Sequence, residues 1–184
     1  MKKALLLTIV FTLWATMAFA QAGLISIFAD VGGNDCNLVD VAGVNNWNFV
    51  HMATVGATAI WFKAEFPACY AGSFIADQVP FAVSNGNSQI GLAVGYGQCL
   101  VSPILVATVV SIGLGNTLPC CAYPIVGDPF SLSGTIEVTD CAFKDIPNVP
   151  SQNGMINSDA TCLCAVAVHE TTWGQIKAIY RSAD

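Results

Sequence analysis

Short stretches in which large apolar residues alternate with polar or small residues recur along most of the chain. The clearest alternation covers residues 57–66, and Pro67 ends it. One side of this stretch carries Ile60, Phe62, Ala64 and Phe66, and the other carries Trp61, Lys63 and Glu65. A period of two residues is typical of a β-strand with one buried side and one side that faces water.

A second alternation, in residues 90–97, differs because one of its sides is made of very small residues. The large side chains are Ile90, Leu92, Val94 and Tyr96, and between them stand Gly91, Ala93, Gly95 and Gly97. We expect another part of the molecule to approach this small side closely, or the strand to bend there. Residues 104–114 are apolar on both sides, which is typical of a strand in the interior of a sheet.

The remaining strand predictions are shorter and are separated by turn signals such as Asn85-Gly86. They cover residues 24–30, 47–54, 73–76, 123–126 and 135–141. Roughly seven to nine short strands with almost no helical periodicity predict an all-β fold, namely an antiparallel β-sandwich.

The pattern changes after residue 144, and the chain divides into four predicted segments. These are a signal peptide at 1–20, the β-sandwich domain at 21–144, a loop or linker at 145–170 that carries Cys162 and Cys164, and a short C-terminal helix or tail at 171–184. The linker prediction depends on the many Pro, Asn, Ser and Gly residues in its first part.

The C-terminal helix is predicted from a capping box formed by Thr172 and Gln175. Trp173, Ile176 and Tyr180 then fall on one helical face. Two interpretations of this apolar face stay open. It caps the core of the sandwich, or it serves as a docking or sorting element towards the cell surface or the export machinery.

The N-terminal residues have the organisation of a secretory signal. Lys2 and Lys3 precede an uncharged apolar stretch, which ends in Ala18-Phe19-Ala20. A basic start, an apolar middle and a small-residue end are the features that signal peptidases require. We therefore expect cleavage after Ala20 and a secreted, periplasmic or cell-surface protein.

Eight cysteines follow this leader, namely Cys36, Cys69, Cys99, Cys120, Cys121, Cys141, Cys162 and Cys164. An even number in an exported chain predicts disulfides, whose pairing the sequence alone does not determine. As a first assignment we expect Cys36 to pair with Cys69, and Cys99 to pair with Cys120 or Cys121. The alternative is a metal site, which we do not favour because its members lack the C-x-x-C spacing of zinc sites. That set comprises Cys120, Cys121, Cys162, Cys164 and His169.

Composition and charge exclude two classes of protein. The chain is 54% hydrophobic and 10% charged, which excludes an intrinsically disordered protein. It has six Lys and Arg residues against twelve Asp and Glu residues, and two of the six lie in the leader. Since so few cations build no basic patch, we expect no nucleic-acid partner.

No familiar catalytic motif occurs in the sequence, and we predict neither enzyme activity nor a cofactor. His51 lies inside a predicted strand, where a hydrogen-bonded structural histidine is the ordinary interpretation. The alternative is the general base of a secreted hydrolase. Asp30, Asp35 and Asp40 surround a glycine-rich turn, for which we favour a turn pinned by Cys36 over a calcium-binding loop.

Trp47, Trp61 and Tyr70 are candidates for an aromatic platform that binds sugars. Trp61 is the best of them because it falls on the polar side of its strand. The sequence favours a non-catalytic secreted or cell-surface protein with a structural, adhesion or binding role. A carbohydrate-binding module is the first alternative, and a secreted hydrolase is the second. Low charge and glycine-rich strands also favour self-association through exposed sheet edges.

Three segments of the chain carry a resemblance to other proteins: LISIFADVGGNDCNL, GLAVGYGQCL and HETTWGQIKAIYR. They resemble a group of uncharacterised secreted bacterial proteins with a signal peptide, a cysteine-bearing β-sandwich and a C-terminal TWGxIKxxYR segment. This chain departs from the group by continuing to Ser182-Ala183-Asp184 after the motif. The strand pattern is more distantly similar to cohesin-like and immunoglobulin-like sandwiches, a resemblance that implies adhesion, scaffolding or carbohydrate binding.

Overall fold

Residues 22–162 are described by a computed structural model, and they form thirteen strands. In chain order these are β1 (Leu24–Phe28), β2 (Asn37–Leu38), β3 (Gly43–Met52), β4 (Ala57–Phe62), β5 (Gly72–Gln78), β6 (Val83–Asn87), β7 (Gly91–Leu100), β8 (Ile104–Gly113), β9 (Cys121–Tyr123), β10 (Glu137–Asp140), β11 (Asp145–Ile146), β12 (Ser151–Gln152) and β13 (Gly154–Ile156). The predicted signal peptide and C-terminal helix lie outside the described residues.

Two five-stranded sheets and one three-stranded sheet make up the fold. The first sheet has the order β12-β1-β3-β8-β5, the second β11-β10-β4-β7-β6, and the third β2-β13-β9. The strand pairs are antiparallel, apart from the parallel pairs β1–β12 and β2–β13. Residues of both larger sheets contribute to one hydrophobic core. The predicted all-β fold, a disulfide-stabilised antiparallel β-sandwich, is therefore confirmed.

Aromatic rings fill the centre of the core. The ring of Trp47 on β3 lies 5.2 Å from that of Tyr70 and 6.0 Å from that of Tyr123, with both pairs in edge-to-face geometry. Ile60 and Phe62 of β4 are fully buried, on the side that the alternation predicted. Trp47 and Tyr70 are thus core residues, and the prediction that they join an exposed sugar platform is wrong.

The segment after residue 144, predicted as a linker, begins as part of the sandwich. β11 and β12 are the edge strands of the second and first sheets, and β13 lies between β2 and β9. The Ser151 hydroxyl also donates a hydrogen bond of 2.8 Å to the Ile125 carbonyl. These strands have two or three residues each, which is too short for an alternation to be visible in the sequence.

Three disulfides connect the described residues: Cys69–Cys121, Cys99–Cys141 and Cys120–Cys162. Cys36 is disulfide-bonded as well, and Cys164 lies outside the described residues. Both pairings of the first assignment are wrong. Cys69 is bonded to Cys121 and not to Cys36, and Cys99 is bonded to Cys141 and not to Cys120 or Cys121.

The order of strands in the second sheet explains the bond between Cys99 and Cys141. Ala57 of β4 is the Cα partner of Leu100 on one side and of Asp140 on the other. The two cysteines adjoin these partners, so their disulfide crosses over β4. Gly56 makes room for it, since a side chain there would lie 2.6 Å from the sulfur of Cys141.

Candidate ligand site on the second sheet

The outer side of the second sheet carries a row of four residues of very different size. Glu137 of β10, Trp61 of β4, Ala93 of β7 and Asn85 of β6 are successive Cα partners across these strands. Trp61 is half-buried. Because Ala93 is small, no side chain fills the space between the indole of Trp61 and the amide of Asn85.

This space is a recess of about 260 Å³, which we call the Trp61 recess. Its lining includes Trp61, Asn85, Ile90, Asp128 and Phe130, together with Gly91 and Ala93 of β7. The last two belong to the small side of the strand that the sequence singled out. As expected, another part of the molecule approaches this side closely, because the Asp128 carboxylate lies against Gly91.

The loop of residues 127–135 forms one wall of the recess and is held by its own hydrogen bonds. Asp128 is buried, and its Oδ1 accepts a hydrogen bond of 2.8 Å from the backbone N–H of Phe130. Further along, the backbone N–H of Ser133 donates to Glu137 Oε1 at 2.7 Å. The loop backbone is therefore fixed, while the Phe130 side chain stays 79% exposed at the rim.

Two glycines permit the close approaches that shape this wall. A side chain at Gly91 would collide with the Asp128 carboxylate, and the backbone there has a φ of 145°, which other residues rarely adopt. A side chain at Gly127 would collide with the backbone of Gly134 on the other side of the loop. The depth of the recess thus depends on residues that lack a Cβ.

The lining combines two aromatic rings with a few polar groups. Trp61 and Phe130 supply apolar ring faces, and Asn85 and Asp128 supply an amide and a carboxylate. Small-molecule sites in proteins have this composition, in which apolar walls hold the ligand and a few polar groups orient it. The arrangement suits a ligand with both apolar faces and hydroxyl groups.

Sequence reasoning identified one of these residues and missed the others. Trp61 was singled out because the alternation placed it on the polar side of β4, where the structure has it half-buried. Asn85 was interpreted only as a turn signal, and Asp128 and Phe130 gave no signal. These residues come from separate parts of the chain, and only the strand order brings them together.

His51, the alternative general base, lies on β3 and has no solvent exposure. Its Nε2–H donates a hydrogen bond of 2.6 Å to the Ala22 carbonyl, so Nδ1, which lies 3.2 Å from the Tyr96 hydroxyl, accepts from that hydroxyl. The prediction of a hydrogen-bonded strand histidine is therefore confirmed. Burial lowers the pKa of His51 to about 4, although the hydrogen bond to Ala22 opposes this change.

This burial predicts a pH dependence of stability. An unfolded histidine has a pKa of about 6.5, so between pH 6.5 and about 4 the unfolded chain binds a proton that folded His51 does not. We expect His51 to lower the free energy of unfolding by about 3 kcal/mol as the pH falls through this window, and to have no further effect below it.

Denaturant titrations at several pH values within the window measure this effect in the natural protein and in His51→Gln. Carboxylates titrate in both proteins, so the difference between the two pH profiles reports the histidine. The variant should lose most of the slope above pH 5.5, a value at which few carboxylates are protonated. Identical profiles would contradict the prediction.

Two of the three acidic residues of the glycine-rich turn, Asp30 and Asp35, stabilise that turn itself, whereas Asp40 binds a different loop. The Asp30 carboxylate accepts hydrogen bonds of 2.9 and 2.7 Å from the backbone N–H groups of Asn34 and Asp35. The Asp35 carboxylate in turn accepts a hydrogen bond from the backbone N–H of Asn37. Asp40 Oδ2 accepts from the N–H and the hydroxyl of Thr117, at 3.1 and 2.7 Å. These contacts favour the interpretation as turns over a calcium loop.

One group of potential metal ligands occurs among residues 22–162, with Cys120, Asp159 and Cys162 within 4.8 Å of one another. The two cysteines are bonded to each other, so neither offers the thiolate that a metal requires. Cys121 of the alternative metal site is in a disulfide too. The other members of that set, Cys164 and His169, lie outside the described residues.

The proposed docking residues Trp173, Ile176 and Tyr180 also lie outside the described residues, and both interpretations of the tail stay predictions. Among residues 22–162, there is no helix with the length and apolar character needed to cross a membrane.

No protein-family model and no curated protein matches this chain. Among solved structures, it is similar to the sixth cohesin of scaffoldin B from Acetivibrio cellulolyticus, in complex with a mutant Cel5 dockerin. That match has 13% identity and a TM-score of 0.46, and it covers 74% of this chain and 98% of the cohesin. The third cohesin ScaC from the same organism, in complex with a mutant ScaB dockerin, matches with 14% identity and a TM-score of 0.41, over 74% of this chain and 100% of that one. The similarity to cohesin-like sandwiches is therefore a distant one.

Proposed function

We propose that the protein is a secreted, non-catalytic binding module that holds a carbohydrate in the Trp61 recess. The observation that carries this proposal is the pairing of two aromatic rings, Trp61 and Phe130, with the polar side chains of Asn85 and Asp128 around one open space. A sugar ring has apolar C–H faces that stack on aromatic rings and hydroxyl groups that bind amides and carboxylates.

The positions of the acidic groups near the recess favour binding over hydrolysis. Glycoside hydrolases need a pair of carboxyl groups on either side of the bond that is cleaved. Asp128 lines the recess, but its Oδ1 is engaged by the loop backbone. Glu137 adjoins Trp61 in the sheet, but it is buried and accepts a hydrogen bond from Ser133. His51 is buried elsewhere and has no access to a ligand.

The disulfides support an extracytoplasmic location. Disulfides persist in oxidising compartments, which the predicted signal peptide at 1–20 would reach. Three are formed among the described residues, and Cys36 is bonded as well. A secreted or cell-surface binding role agrees with this chemistry.

Glycan-array screening of the natural protein, followed by calorimetry on the best ligand, tests the proposal. We expect Trp61→Ala to weaken binding by roughly thirtyfold or more, because a central aromatic contact is lost. Trp61→Phe should keep part of the affinity, since it retains a ring. Leu132→Ala is the matched control, because this side chain is 96% exposed on the same loop as Phe130 but does not line the recess.

Two outcomes would contradict the proposal. The first is that the natural protein binds no glycan, and the second is that Trp61→Ala binds as tightly as the natural protein does. Circular dichroism of each variant checks that a loss of binding does not reflect unfolding.

Self-association is a second candidate role, favoured by the edges of the two larger sheets. β5 and β6 are both edge strands, and the single charged residue in them, Asp77, is engaged by hydrogen bonds from Ser88. Edge strands without exposed charges are prone to pair with other chains. Sedimentation velocity over a wide concentration range tests this role. We expect larger species at high concentration, and Ile75→Lys on β5 should remove them.

A further inference from the structure

We propose that the predicted helix after Cys162 packs its apolar face against an exposed aliphatic surface at one end of the sandwich. The helical face consists of Trp173, Ile176 and Tyr180. The surface, which we call the aliphatic end, consists of Val39, Val41, Val44, Ile112, Leu114 and Leu118. This contact would make the tail part of the folded domain.

The aliphatic end is unusually apolar for a surface. Leu118 is 75% exposed, Leu114 64% and Val44 59%. All six side chains belong to two short segments, residues 39–44 and 112–118, in which Asp40 is the single charged residue and is buried. Exposed clusters of large aliphatic side chains usually mark a surface that another element covers.

The two segments form one surface because they are bound to each other. Val44 is the Cα partner of Ile112 across β3 and β8. Gly115 lies against Ala42, where a side chain would come within 2.9 Å of the backbone nitrogen. Beyond the strands, the buried Asp40 carboxylate accepts two hydrogen bonds from Thr117.

The chain itself brings the tail to this surface. The side-chain amide of Asn157 donates a hydrogen bond of 2.8 Å to the Thr117 carbonyl. The backbone carbonyl of Asn157 accepts a hydrogen bond of 3.1 Å from the backbone N–H of Cys120. Cys120 is two residues from Leu118 and is bonded to Cys162, with 5.6 Å between the Cα atoms. The tail therefore starts beside the aliphatic end.

The length of the connection fits the contact. Nine residues separate Cys162 from Thr172, the predicted start of the helix, and an extended chain of that length spans at most about 30 Å. A helix of about ten residues is marginally stable alone in water, so it needs a surface on which to fold. The aliphatic end provides an apolar one within reach.

A double-mutant cycle in the full chain tests the proposal. The single variants are Leu118→Ser, at the aliphatic end, and Trp173→Ala, in the tail. We expect each to lower the folding equilibrium constant by about tenfold, and the double variant to lose about tenfold less than the product of the two. Leu132→Ser is the matched control, because it removes an even more exposed leucine that lies on the loop beside the Trp61 recess. We expect this control to change the folding equilibrium constant by about twofold or less.

Three outcomes would overturn the proposal. The first is that Leu118→Ser lowers the folding equilibrium constant no more than the control does. The second is that the effects of Leu118→Ser and Trp173→Ala on this constant simply multiply. The third is that sedimentation shows a dimer that Leu118→Ser dissociates. The last result would identify a second copy of the chain as the element that covers the surface.

Hydroxyl-radical labelling gives a second readout that needs no change at the aliphatic end. We expect Leu114 and Leu118 to be protected in the natural protein and to be labelled several times faster in Trp173→Ala. Equal labelling in the two proteins would overturn the proposal even where Leu118→Ser fails to fold.

Discussion

Trp47→Ala is expected to lower the free energy of unfolding by about 3–5 kcal/mol, whereas Trp61→Ala is expected to change it by about 1 kcal/mol or less. Trp47 lies at the centre of the core, and its ring packs against those of Phe66, Tyr70 and Tyr123. Removal of such a side chain leaves a cavity that the surrounding rings fill only in part. Trp61 borders an open recess instead.

The two tryptophan variants are matched controls for each other. Urea titrations followed by circular dichroism measure their stability, and the glycan assay measures their binding under conditions where both are folded. We expect Trp47→Ala to lose stability but to bind the glycan when it is folded. We expect Trp61→Ala to keep its stability but to lose glycan binding. Equal losses of stability would mean that Trp61 is a core residue and would remove the basis of the proposed ligand site.

Replacement of both Cys69 and Cys121 by alanine is expected to cost about 4 kcal/mol through loop-closure entropy alone. The bond spans 52 residues and ends in Cys121, which is buried in the core. The loss of the buried sulfur adds a packing cost of about 1 kcal/mol to this value. We therefore expect this double variant to have a much lower free energy of unfolding than the natural protein.

The double variant of Cys120 and Cys162 serves as the comparison. Its bond spans 42 residues, so the entropic contribution of the two bonds is nearly the same. Both its cysteines are half-buried outside the core, and we expect a smaller total loss. Chemical denaturation without reductant measures both variants. A loss below about 1 kcal/mol for the Cys69 and Cys121 pair would contradict the prediction.

Local patterns in the sequence predicted the strands of five or more residues other than β6, and they predicted the buried side of β4. The alternation around Ile60 and Phe62 predicted the buried side of β4, and both residues are fully buried. The apolar run at 104–114 became β8, which has a neighbour on each side in the first sheet. Such predictions succeed because the two-residue period of a strand is a property of consecutive residues.

The roles of individual residues were harder to predict, because they depend on which strands become neighbours. Trp47 and Trp61 both lie in predicted strands, yet one is at the centre of the core and the other borders a recess. The disulfide of Cys99 and Cys141 crosses β4, so it depends on the order of β7, β4 and β10. Distance along the chain carries no information about such a crossing.

The sequence by itself therefore determined the fold class, the buried side of β4 and the structural character of His51. The pairing of cysteines, the core position of Trp47 and the Trp61 recess arose only when the sheets assembled. Strand faces depend on local periodicity, whereas the recess forms only where long-range contacts of the strands and of the 127–135 loop place Trp61, Asn85 and Asp128 around one space. Contacts of this kind are set by the order and register of the strands, and a local pattern does not encode them.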